Sequence, residues 1–174
     1  GTDEAQNTAL LRVALASALA AQTPVEPGPA LKHALLSLAI DADWVFDLHC
    51  DAEALPHLYT QPGFVAEFAP FARLMGARAI LTAEASGDHP FDEAISVVWE
   101  RVRAAYPRHP LRRGGIAATV ELRGQQDTEP HFAERDAEAV DFYRFTTGIT
   151  QLPMEDRVEI IRMMWTVVFA DRQN

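Results

Sequence analysis

Cysteine is nearly absent: one residue, Cys50, in a chain of 174, which excludes an internal disulfide and a cysteine-rich zinc knuckle and fits a reducing compartment. Long apolar runs are missing too. No stretch approaches the ~20 residues that a membrane-spanning helix needs. The first apolar segment, residues 9–21, lacks a basic leader and is interrupted by Arg12, so it reads as an amphipathic helix rather than a signal peptide. Basic charge is scarce, with 15 Lys and Arg against 25 Asp and Glu, a net charge of -10 and a pI near 4.9. Phosphate backbones and anionic lipid surfaces demand a basic face, so neither nucleic acid nor a membrane is an expected partner. There is no internal repeat and no low-complexity tract. What remains, 48% apolar and 23% charged residues, is the composition of a soluble globular protein with one sizeable core. We therefore expect a single domain over 1–174 in the cytoplasm, with 150–174 as a C-terminal extension whose place stays open.

Hydrophobic periodicity orders the elements. Thr2 or Asp3 caps a first helix bearing Leu10, Leu11, Val13, Leu15, Ala18 and Leu19. Residues 23–29, with three prolines and a glycine, read as a loop, and 30–42 as a second helix. A strand over 44–49 and a short one near 56–60 follow, then a helix over about 64–75 ended by Gly76. Residues 77–83 read as a strand, 91–106 as a long helix, 107–115 as a loop, 116–122 as a buried strand and 132–146 as a helix. The segment 154–170 fits neither period cleanly and is read as a helix from its acidic start, Glu155-Asp156. Strands alternating with helices predict an α/β fold: a three-layer α/β/α sandwich around a mixed, mostly parallel sheet.

Two strand ends carry chemistry. Asp43-Trp44-Val45-Phe46-Asp47-Leu48-His49-Cys50-Asp51 is an apolar strand that runs into metal-capable side chains. In an open α/β sheet the ligand crevice lies outside the carboxyl ends of the strands. Asp47 stands two residues before His49, hence on the same face, where it can orient the imidazole; the alternative is a bond to loop backbone. The second is Thr119-Val120-Glu121-Leu122-Arg123-Gly124. A glutamate in an apolar strand is retained when paired, metal-bound or tuned as an acid or base, or else the strand is an edge with Glu121 facing water. Cys50 points to the opposite face from His49 and reads as a buried thiol rather than a nucleophile. His33, His57, His89 and His109 have no partner at metal spacing and read as surface or packing residues. Arg108, Arg112 and Arg113 either meet a substrate carboxylate or form a solvated loop. Met163, Met164 and Trp165 read as core or interface.

Together the Asp47-Leu48-His49 and Thr119-Val120-Glu121-Leu122-Arg123-Gly124 strand ends resemble the succinylglutamate desuccinylase and aspartoacylase family of zinc hydrolases, relatives of the zinc carboxypeptidases. The resemblance covers roughly residues 3–148. It implies one zinc ion with His49 as a ligand, Glu121 as the general base that activates water, Asp47 behind His49, and a small N-acyl amino acid as substrate. The longer run from Asp47 to Thr60, with Glu53, His57 and Tyr59, is similar to uncharacterised bacterial members.

The chain departs from that family. Its first two zinc ligands come from a His-x-x-Glu motif ahead of the Asp-Leu-His strand, and nothing between Gly1 and Asp47 has that spacing. The substrate-binding arginine motif is also missing there. His131-Phe132-Ala133-Glu134 follows Glu121, out of order, and reads as a helix start. The chain thus looks like the middle of a catalytic domain, without its N-terminal strands. Two functions follow from the sequence: a zinc-dependent hydrolase of small N-acyl amino acids, or a catalytically silent domain that binds a partner. Uncovered apolar surface favours a homodimer, with 160–169 as the covering segment.

Overall fold

The structure, a computed structural model, describes residues 3–87 and 90–146, with side chains through residue 141. The chain divides into two compact units, residues 1–126 and 127–174.

The first unit holds α1 (Glu4–Ala20), α2 (Pro27–Ala39), β1 (Trp44–Asp51), β2 (His57–Thr60), a 3-10 turn (Pro62–Phe64), α3 (Val65–Met75), β3 (Ala79–Thr82), α4 (Phe91–Ala105) and β4 (Ile116–Gly124). The four strands form one sheet in the order β1-β4-β2-β3. β1 pairs with β4 in parallel, β2 with β3 in parallel, and β2 with β4 antiparallel. The sheet is therefore mixed and mostly parallel, as the sequence predicts.

Side-chain alternation assigns each face to its helices. On one face Val45 and Ala117 meet Ile95 and Trp99 of α4, with Leu11, Leu15, Leu36 and Ala39 of α1 and α2 around them. On the other, α3 buries Phe68, Phe71, Ala72 and Met75. Phe46 stacks tilted on Phe71 with centroids 4.6 Å apart, and Trp44 meets Phe68 edge-on at 5.5 Å. Burying one such side chain contributes roughly 1.5–3 kcal/mol, so these two layers supply the fold's main stabilisation.

Local chemistry sets the helix ends. The Asp3 side chain caps α1 by accepting from the Gln6 amide at 3.0 Å. Gly76 closes α3 in the left-handed conformation, φ 72°. Pro70 sits inside α3, yet it and Ala66, whose carbonyl loses its helical donor, are both exposed, so that carbonyl need not be buried unpaired. Gly115 is the tightest position. Its φ is +66°, and a Cβ there would lie 2.1 Å from Trp99 Cδ1, so only glycine lets β4 start against that indole.

Several boundaries differ from the expected ones. α2 starts at Pro27, inside the stretch read as loop, because proline in a first turn forgoes only an amide that has no helical partner. β1 continues to Asp51 and β4 to Gly124, since the two strands keep pairing through an irregularity between His49 and Asp51. The second unit contains α5 (Pro130–Thr146), and the His131 to Glu134 motif lies at its start. Residues 154–170 and the Met163-Met164-Trp165 cluster lie outside the described residues. No helix among the described residues is long and apolar enough to cross a membrane.

Candidate active site

Register builds the site. His49 of β1 and Glu121 of β4 are direct partners across neighbouring parallel strands, and Glu121 is also the direct partner of His57 on β2. Partners in register share a face, so His49, Glu121 and His57 form one row across three strands. Beneath it, two residues back along β1 and β4, lies a second row: Asp47, Thr119 and Tyr59. Both rows lie on the α4 face, beyond the Val45–Ala117 pair and toward the carboxyl ends of the parallel strands.

α4 contributes a residue that the sequence does not single out. Ile95 and Trp99 cover Val45 and Ala117, so one helical turn earlier Asp92 stands over the next row, beside Asp47. Asp92 is 5% exposed, and its Oδ1 is buried without a hydrogen-bond partner. Burial first, with the nearby Asp47 charge adding to it, raises the Asp92 pKa. An aspartate in a first helical turn is ordinary, which is why its burial is invisible in the sequence.

The electrostatics follow from these neighbours. His49 Nε2 lies 3.0 Å from Asp47 Oδ1. That hydrogen bond raises the His49 pKa against the opposing effect of burial, with Asp47, Glu121 and Asp92 charges adding to it. With Nε2–H donating to Asp47, Nδ1 is the nitrogen left with a lone pair. Glu121 is half-buried and its Oε2 is buried with no hydrogen-bond partner. Desolvation pushes its pKa up, opposed by the two flanking imidazoles, His49 and His57. His57 Nδ1 lies 2.8 Å from the Leu55 carbonyl.

The other candidates fall elsewhere. Cys50 alternates to the α3 face, where Trp44 and Phe46 take the aromatic contacts, and it is half-buried rather than buried. Arg112 and Arg113 lie just ahead of the amino-terminal end of β4, opposite Glu121. There Arg113 Nε donates to Glu67 Oε1 at 2.8 Å, its guanidinium lies over Phe64, and the Arg112 amide donates to Thr8 Oγ1. They pin the loop ahead of β4 and do not reach the row. His33 Nε2 meets the Leu19 carbonyl at 2.9 Å, tying α2 to the end of α1.

The resemblance implies a zinc ion, which the donors present would have to hold. Among the described residues, no three His, Cys, Asp or Glu side chains are grouped to hold a metal ion. A catalytic zinc needs three protein ligands and an open position. The described residues do not fit that ion by themselves.

The fold and the row define an α/β layered domain with a row of titratable side chains at its strand ends. Solved structures of the same architecture bear out the resemblance. A protein from Shewanella amazonensis SB2B, provisionally named a succinylglutamate desuccinylase/aspartoacylase family protein, matches with a TM-score of 0.70 and 27% identity over 84% of this chain and 40% of its own. A second, from Shewanella frigidimarina NCIMB 400 and provisionally named likewise, matches with a TM-score of 0.69 and 22% identity over 82% of this chain and 39% of its own. The chain spans about two fifths of the length of these proteins. Residues 121–173 match the family model of the tellurite resistance protein TerB, less than a third of the chain. No curated protein matches it.

Proposed function

We propose that the first unit carries the acid–base part of a hydrolase site that cleaves the amide bond of a small N-acyl amino acid with an activated water. One observation carries this reading: His49 and Glu121 are in-register partners at strand carboxyl ends, and Glu121 keeps a buried, unpartnered oxygen. A carboxylate with a raised pKa is the stronger base. Glu121 takes a proton from water, the water oxygen adds to the acyl carbon, and the carbon–nitrogen bond breaks. The proton passes to the leaving nitrogen, giving a carboxylate and a free amine. Asp47 fixes the His49 ring. Zinc dependence belongs to the proposal as well, with His49 as one ligand and the other ligands not found in this chain. A cytoplasmic site of action and a homodimer complete the proposal. Leu31, Leu35 and Leu38 of α2 are exposed, while residues 160–169 lie outside the described part; light scattering at micromolar concentration tests the dimer.

The test is release of free amine from a panel of N-acetyl and N-succinyl amino acids with zinc added. Slow turnover of at least one substrate is expected, falling about 10²–10⁴-fold in Glu121→Gln, the usual contribution of a positioned base. Turnover unchanged by that substitution contradicts the reading. Inactivity across the panel favours the second reading, a silent domain that binds a partner. The absence of a metal-holding group among the described residues supports that alternative.

A further inference from the structure

His57 is half-buried at the first position of β2, beside Glu121 and two strands from His49. Two contacts hold its ring. Tyr59 meets it edge-on with centroids 5.2 Å apart, and Nδ1 lies 2.8 Å from the Leu55 carbonyl oxygen. A carbonyl only accepts, so Nδ1 carries the proton, and in the neutral ring Nε2 is an acceptor with a free lone pair.

The neighbours make that lone pair informative. Glu121 Oε2 and Asp92 Oδ1 are buried acceptors without donors, and Asp47 already accepts from His49. The site is therefore rich in acceptors, and what it binds must bring donors. An N-acyl amino acid brings one at its reacting centre: the N–H of the scissile amide.

We propose that His57 Nε2 accepts that N–H, which makes His57 a specificity-determining residue selecting secondary amides over esters. The proposal rests on the hydrolase reading and deepens it. With the N–H held at His57, the acyl carbon next to it lies toward Glu121, the in-register neighbour whose carboxylate delivers the water. An ester of the same shape places an oxygen lone pair against the Nε2 lone pair, and the contact turns repulsive. Sites built to bond a substrate N–H discriminate strongly against analogues that lack it, because their own buried group is then left unpaired.

The test is two-dimensional NMR of the imidazole nitrogens on the full chain at a pH where His57 is neutral. The probes are N-acetyl-aspartate and N-succinyl-glutamate, each against its ester isostere built on the matching hydroxy acid. We expect the His57 Nε2 resonance to move with the amides and stay in place with the esters. The amides should bind about tenfold or more tightly than the esters, with the difference shrinking to within about threefold in His57→Ala and in His57→Phe, which keeps the ring. Movement of His49 with either amide while His57 stays in place, or equal affinity for amide and ester, overturns this proposal and leaves the hydrolase reading standing. If neither imidazole responds to any probe, the hydrolase reading fails and this one with it.

Discussion

At the scale of single residues, the site depends on what each side chain lacks as much as on what it touches. Glu121 has an oxygen with no donor, and His49 has one nitrogen engaged by Asp47 and one left open. Removing the Asp47 acceptor should therefore lower the His49 pKa, because its hydrogen bond is the largest cause of the upward shift. Histidine NMR titration of Asp47→Ala, which removes the acceptor, checks this. An unchanged midpoint would show that Glu121 and Asp92 alone hold the proton on His49. The placement of Asp47, His49 and Glu121 near strand ends was legible in the sequence because each lies on an apolar strand that ends in polar residues, and alternation within β1 puts Asp47 and His49 on one face. His57 was not legible as a site residue. Its partner is 64 positions away across an antiparallel pair, and no local spacing encodes that register.

Among the elements, sequence and structure agree where periodicity is strong, as in α3, α4 and the strand cores. They part where chain punctuation is ambiguous. Pro27-Gly28-Pro29 looks like a loop, yet it forms the first turn of α2, and Arg123-Gly124 looks like a turn, yet it continues β4. The Gly114-Gly115 pair is the reverse case, a loop signal with a packing reason behind it. Trp99 of α4 occupies the space where a side chain would stand, and the backbone there has positive φ. Gly115→Ala should cost on the order of 2–4 kcal/mol through strain and overpacking together. Urea unfolding measures it. A loss below about 0.5 kcal/mol would mean that the indole moves freely and that the contact does not fix α4 over Asp47.

For the whole molecule, three shifted groups act in one direction. His49 is raised above 6.5, so its protonated, Asp47-bound form stabilises the fold fully below that value, and the contribution is lost as pH rises through the raised one. Glu121 and Asp92 are raised above 4.5 and 3.8 because burial disfavours their ionised forms. The cost of ionising them is absent below those values and grows as pH rises through the raised ones. All three leave the folded state holding more protons than the unfolded one, so stability should fall as pH rises from the ordinary carboxylate range through 6.5 and the raised His49 value. The urea midpoint should follow that trend, and Asp92→Asn with Glu121→Gln should flatten it; a midpoint that rises over that range contradicts these placements. On the proposed reading the described residues hold the base and one metal-capable histidine of a hydrolase site, and they fall short of a metal centre. Elemental analysis of the chain after dialysis against zinc-free buffer tests this reading most directly. Well under one zinc per chain is the predicted result, whereas one zinc per chain that disappears in His49→Ala would contradict it.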